Sequence, residues 1–186
     1  MSNKQDSDVP KPLAERALRV DARRNEDALL DAAKLVFSEI GVDAPVREIA
    51  SKAGVGLGTL YRRFPKRSDL IAAVFRRELD NCAESAVSLA SLHAPIDALT
   101  LWLEGYSAFM RTKKGLSAAL HSDDPAYEAL PEYFRGKLEP ALDRLLTAAA
   151  ATGHVRDGVV AYDLLRAIGN LSMASGNDGP AHASRM

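Results

Sequence analysis

The stretch Tyr61-Arg62-Arg63-Phe64 sets two guanidinium groups between two aromatic rings, shortly after three glycines spaced two apart in Gly54-Val55-Gly56-Leu57-Gly58. Such a cluster is a surface made to touch something, and guanidinium groups suit phosphate and base edges. The local charge agrees. Residues 45–77 hold eight lysines or arginines (Arg47, Lys52, Arg62, Arg63, Lys66, Arg67, Arg76, Arg77) against two acids (Glu48, Asp69), a local excess of six. The whole chain carries a formal net charge of −1, with its four histidines and its surplus of acids beyond residue 80. A basic module joined to a mildly acidic one is the implied arrangement, and the basic part is the candidate nucleic-acid contact. An isolated Arg-Arg pair would read as a solvated helix face; the glycine turn before it and the charge around it argue for more.

Other chemistry finds less support. Gly54-Val55-Gly56-Leu57-Gly58 resembles the opening of a dinucleotide loop, but Thr59 stands where the third glycine of G-x-G-x-x-G belongs and no strand precedes it. His121-Ser122-Asp123-Asp124-Pro125 puts an imidazole beside two carboxylates, yet Asp before Pro is equally a turn former and no second ligand cluster is visible, so no metal site is assigned. His154 beside Gly153 reads as a helix C-terminal residue. Serine, histidine and aspartate occur, but none in a nucleophile elbow, and the chain does not read as an enzyme. The single cysteine, Cys82, cannot form an intramolecular bridge and fits a reducing, cytoplasmic setting. Residues 1–20 are polar with two prolines, which predicts a loose arm rather than a signal peptide. No run of about 18 apolar residues predicts a membrane span. With 186 residues, 47% of them apolar, the chain is long enough for a continuous core.

The elements that must position the cluster are helices, since apolar residues recur at three- and four-residue spacing and no alternating pattern persists. The first carries Leu29, Ala32, Ala33, Val36, Phe37 and Ile40, with Asn25 as N-cap and Gly41 after its end. Pro45 opens a short second helix with Val46, Ile49, Ala50 and Ala53 inward, and Gly54 ends it. A third covers Leu57 to Phe64, with Gly56 at its N-cap. Ala50 is small where these two helices meet, and Val55 and Leu60 fill the wedge between them. A fourth runs from Ser68 to about Leu92 with Leu70, Ile71, Val74, Phe75 and Leu79 inward. Residues 96–111 form a fifth, carrying Trp102, Tyr106, Phe109 and Met110. After breaks that include Gly115 and Pro131, helices follow over Glu132 to Ala151 and, capped by Asp157, over Val159 to Ala174.

The segment Val46 to Val74, reading VREIASKAGVGLGTLYRRFPKRSDLIAAV, with the amphipathic helix before it, resembles the DNA-binding domain of the TetR/AcrR family of bacterial transcriptional repressors. The motif match covers residues 28–76. The resemblance implies an all-α fold, a three-helix helix-turn-helix DNA-binding head (21–67) after the arm (1–20), joined to a helical ligand-binding and dimerisation body (68–186). It implies that Tyr61 donates its hydroxyl to a DNA phosphate and that Thr59 faces the groove. Arg47 would reach phosphate or a guanine edge, and Arg67 replaces the lysine usual at the start of the fourth helix, where a cation meets the backbone. Arg62 and Arg63 stand where the family often has other residues, which leaves base preference open. Lys66 occupies a site where a small capping residue is frequent, so that helix is expected to begin less firmly.

The resemblance also implies that Trp102, Tyr106, Phe109, Met110, His121 and Tyr133 contact a small-molecule effector, although residues of these types at helical spacing are equally plain core. The expected partners are double-stranded operator DNA, an effector and a second copy of the chain, with no membrane and no cofactor. The expected function is repression until the effector binds. A helical ligand-binding module that does not touch DNA is the alternative. The helix at 159–174, with Val160, Leu164, Leu165, Ile168, Leu171 and Met173, offers a dimer surface. Its expected partner helix is missing from the polar end after Gly176, which predicts either a chain cut short, the favoured reading, or a dimer that relies on the 159–174 helix and its neighbour near 132–151.

Overall fold

The computed structural model describes residues 13–112 and 123–173. They form seven α-helices and one 3-10 turn, with no strand among the described residues. The helices are α1 (Leu13–Glu39), α2 (Val46–Lys52), α3 (Leu57–Arg63), α4 (Arg67–Leu92), α5 (Pro95–Thr112), α6 (Leu130–Ala151) and α7 (Ala161–Met173), with the 3-10 turn at Pro125–Tyr127. The all-α expectation holds.

Helix α1 begins well before Asn25, which therefore lies inside the helix and is not its N-cap. Residues 13–20 of the expected arm are helical, and the rest of that arm lies outside the described residues. Leu29, Ala32, Ala33, Val36 and Phe37 are buried as expected, whereas Ile40 falls just past the helix end and is exposed. Gly41 follows with φ 103°, and its N–H donates to the Phe37 carbonyl at 3.0 Å.

Helix α4 joins the two parts of the molecule. At about 1.5 Å per residue its 26 residues span about 39 Å. Its first half is tied to α1, where Arg77 pairs with Asp31 at 3.0 Å and Glu78 with Lys34 at 2.7 Å. From Asp80 onward its partners are in the body: Asp80 accepts from the Tyr133 hydroxyl at 2.8 Å and pairs with Lys137 at 2.8 Å. The backbone carbonyl of Cys82 accepts the Trp102 indole N–H at 2.8 Å. The buried apolar side chains form one cluster from Leu29 in α1 to Leu165 in α7.

Two breaks fall elsewhere than expected. Pro131 sits in the first turn of α6, where the missing N–H costs nothing, so it does not interrupt the chain. Asp157 does not cap α7: Gly158 follows it with φ 77° and the helix begins at Ala161. The suspected breaker Gly115, His121 and everything after Met173, including the polar end, lie outside the described residues.

Candidate nucleic-acid interface

Helices α2 and α3 are joined as the glycines predict. Gly54 has φ 69°, a conformation that side-chain-bearing residues rarely adopt, and the turn closes through Val55 N–H to the Ala50 carbonyl at 3.0 Å. Gly56 is the N-cap of α3, and its carbonyl accepts Thr59 N–H at 2.9 Å. A Cβ added at Gly56 or Gly58 would meet nothing within 4 Å, so the start of α3 is bare and open to approach. Leu60 and Phe64, four apart, are buried and seat α3 on the core. Their burial turns Tyr61, Arg62 and Arg63 outward, with Tyr61 48% exposed.

The seven residues singled out as DNA contacts divide into three groups. Arg47 in the first turn of α2, Lys66 before α4 and Tyr61 are exposed. Arg62 donates to the Thr59 hydroxyl at 3.3 Å, one turn back along α3, and half-buried Thr59 is thereby occupied. Arg63 and Arg67 are engaged elsewhere. Arg63 Nη2 lies 2.5 Å from Glu26 Oε1 of α1. Arg67 Nη1 donates to the carbonyls of Val42 (2.5 Å) and Ala44 (2.8 Å), holding the loop between α1 and α2. The firm start of α4 also departs from expectation. Lysine cannot accept a hydrogen bond as an N-cap, but the Asp69 carboxylate accepts Lys66 N–H at 3.0 Å and supplies one half of a capping box.

The aromatic residues of the body are assembled as core. Trp102 and Tyr106 are buried and stack at 5.6 Å with their planes 7° apart. The Tyr106 hydroxyl donates to the Leu165 carbonyl at 3.0 Å, and burial pushes its pKa well above the ordinary tyrosine value. Phe109 stacks on Phe75 of α4 at 5.9 Å, and Met110 is buried with its Cε 3.0 Å from where a Cβ on Gly169 would stand. Tyr133 bonds Asp80; burial and that bond raise its pKa. Asp124 accepts Ala126 N–H at 2.9 Å, which holds its carboxyl below the usual carboxylate range, with the Ser68 hydroxyl adding to the effect. It therefore acts as a turn former joined to the start of α4. No group of three or more potential metal ligands occurs among the described residues.

Sequence reasoning missed Glu26, Asp80 and the close α5–α7 approach at Gly169. The partners of these groups lie far along the chain; only the spacing of Asp21, Asn25 and Glu26 along one side of α1 carried a signal.

A short helix seated by two apolar residues behind a glycine turn, with cations and a phenol facing out, defines a helix-turn-helix DNA-binding regulator. Residues 29–74 match the family model described as bacterial regulatory proteins of the tetR family, and residues 94–186 match that of the SbtR-like transcriptional regulator C-terminal domain. A TetR transcriptional regulator from Streptomyces coelicolor is 35% identical, with 86% of this chain and 92% of that chain covered and a TM-score of 0.71. One from Mycobacterium vanbaalenii is 30% identical, with 82% and 97% covered and a TM-score of 0.66. An HTH-type regulator of Staphylococcus aureus is 41% identical over 64 residues, 34% of this chain, so the chain spans about a third (35%) of the curated relatives it matches. The chain belongs to the TetR family of transcriptional regulators, and these relatives are regulators rather than enzymes.

Proposed function

We propose that this regulator is a repressor that binds operator DNA as a homodimer and is released by a small-molecule effector. The observation that carries the DNA contact is the outward face of α3, with Tyr61 and Arg62 exposed, as Arg47 and Lys66 are, while Leu60 and Phe64 hold the helix from behind. In this reading residues 21–67 are the head after an arm (1–20), and 68–186 are the body. Tyr61 and Lys66 fix the register on phosphate, and Arg47, Thr59, Arg62 and Arg63 are the candidates for base edges. Arg67 supports the head by holding the 42–44 carbonyls. Binding to duplex DNA titrated with salt tests this. Counterion release predicts a log–log slope on the order of −4 to −8 for two heads, and a flat response overturns the reading.

For the switch, the effector would lie among Trp102, Tyr106, Phe109, Met110, His121 and Tyr133. What supports this is connectivity: Trp102 bonds α4, Tyr106 bonds α7, and Tyr133 bonds α4. A ligand that disturbs these bonds shifts α4, and through it the head, only if it favours one arrangement over another. The single tryptophan, Trp102, reports binding by fluorescence, and the same ligand is expected to change operator affinity. Tight binding with unchanged DNA affinity overturns the switch.

For assembly, Leu165 faces the core, whereas half-buried Leu164, Ile168 and Leu171 continue at helical spacing along α7, with exposed Val160 just before its start. Two recognition helices must lie about 34–36 Å apart to enter successive major grooves, so a second copy is required. Leu164→Arg is expected to give a monomer in sedimentation, and a surviving dimer places the interface elsewhere. None of the described helices is long and apolar enough to cross a membrane; the site of action for a DNA-binding repressor is the cytoplasm.

A further inference from the structure

Asp21, Ala22, Asn25, Glu26 and Leu29 recur along one side of α1, and Thr59, Arg62 and Arg63 along one side of α3. These two stripes line a cleft of about 370 Å³ between α1 and the recognition helix. Within it the half-buried Glu26 carboxylate meets Arg63 Nη2 at 2.5 Å, and the Arg63 guanidinium lies 5.7 Å from the centre of the Phe64 ring. An arginine of the recognition helix is thus held sideways against α1.

We infer that Glu26 is a positioning residue that keeps Arg63 away from DNA phosphates and so depresses affinity for DNA of random sequence. This rests on the DNA-binding reading above. The carboxylate already holds Arg63 Nη2, a donor that a phosphate would otherwise use. Phosphate contacts are the sequence-independent part of DNA affinity, and each adds about −0.9 to the salt slope. A cation held by its own protein's carboxylate adds nothing to that slope. An exposed ion pair is weak, typically about 0–1 kcal/mol, so a correctly placed base edge can still compete for Arg63. On random DNA the matching base edge is mostly absent at this position, and a phosphate must displace Glu26 to gain Arg63, which offsets what that contact would add.

The test is a four-protein cycle of wild type, E26Q, R63Q and E26Q/R63Q, with duplex of random sequence followed by fluorescence anisotropy in rising sodium chloride. E26Q is expected to steepen the slope by about 0.9 per head, or about 1.8 for a dimer. It would then lose about tenfold more affinity than wild type between 50 and 200 mM salt. R63Q and the double variant are expected to keep the wild-type slope. An unchanged slope in E26Q overturns the inference. So does a shallower slope in the charge-conserving double variant, which would mean that Arg63 already touches phosphate. Equal steepening by E26Q with and without Arg63 would show that the carboxylate acts by its charge alone, and also overturns it. Circular dichroism checks that each head is folded, and the two R63Q proteins keep the question decidable if E26Q unfolds. A flat wild-type slope fails the DNA reading itself and is distinguishable from all of these.

Discussion

The two ends of α4 hold their polar groups in opposite ways. Beside its start, the helix-turn-helix leaves Arg47, Tyr61 and Lys66 exposed and turns apolar residues such as Ile49, Ala50, Leu60 and Phe64 inward. Along its second half the body does the reverse: Tyr106 and Trp102 are buried, Tyr133 is half-buried, and the polar tip of each has a partner, Leu165, Cys82 and Asp80 in turn. The difference teaches what each part is for. Groups intended for an outside partner must remain solvated until it arrives, whereas polar groups inside a core must be paired at once, because an unpaired one costs about 1–3 kcal/mol. Substitutions on the two sides should therefore separate cleanly into effects on stability and effects on DNA.

The largest expected effect tests whether the two parts melt together. Leu60 is 1% exposed and seats α3, so Leu60→Ala is expected to cost about 2–5 kcal/mol. Urea unfolding followed at Trp102, in the body, should show this loss, because the buried cluster is continuous from head to body. If helicity falls while the Trp102 midpoint stays put, the head unfolds independently and the single core is refuted.

Next comes Tyr106→Phe, which removes the hydroxyl's bond to the Leu165 carbonyl; that carbonyl stays in the helical ladder of α7, so the expected cost is about 0.5–1.5 kcal/mol. It also has a pH signature. The Tyr106 and Tyr133 pKa values are raised in the fold, Tyr106 by burial first and Tyr133 by burial and then its bond to Asp80, so the native state holds these protons more tightly than the unfolded chain. Their contribution is complete below the unfolded tyrosine value of about 10 and is lost as pH rises above it. Tyr106→Phe should therefore narrow its stability gap to wild type above about pH 10. A constant gap from pH 8 to pH 11 would show that the hydroxyl is not held as described.

Arg67 blurs the division between the two ends, and its substitution sharpens it. As a loop clamp, Arg67→Ala should lower stability by about 1–2 kcal/mol through its two carbonyl bonds, with the salt slope of DNA binding unchanged. As a phosphate contact it would do the opposite: leave stability alone and make the slope shallower by about 0.9 per head.

The sequence was most legible where a single residue type decides the local backbone. Gly54 and Gly41 mark turns because left-handed φ excludes most other residues, and the helix-turn-helix with its outward cluster follows from their spacing. It was least legible where two local signals compete. Asn25 has a capping side chain, but the Leu, Ala, Glu and Arg residues upstream are good helix formers, and α1 runs through it. Asp157 is likewise a capping type, but the left-handed Gly158 separates it from α7. The remainder depends on distance along the chain. Arg63 meets Glu26 and Arg67 meets the 42–44 loop only after folding, so sequence alone made both look free. In the body, helical spacing of aromatics reads the same for core and for cavity; only the observed partners of Tyr106 and Tyr133 show how they are held.

The smallest expected effect on stability is the most informative about function. Tyr61 is 48% exposed, so removing its hydroxyl should change stability by less than about 0.5 kcal/mol. If that hydroxyl donates to a phosphate, Tyr61→Phe loses one hydrogen bond to a charged group in each head, about 1.5–3 kcal/mol apiece net of solvent competition. A phosphate oxygen carries no sequence information, so affinity for operator and for random duplex should fall by the same factor. Phenol is neutral and displaces no counterion, so the salt slope should not change, which distinguishes this loss from that of a lysine or arginine. A protein of unchanged stability and unchanged affinity would remove Tyr61 from the interface. A loss confined to the operator would make it a reader of bases instead.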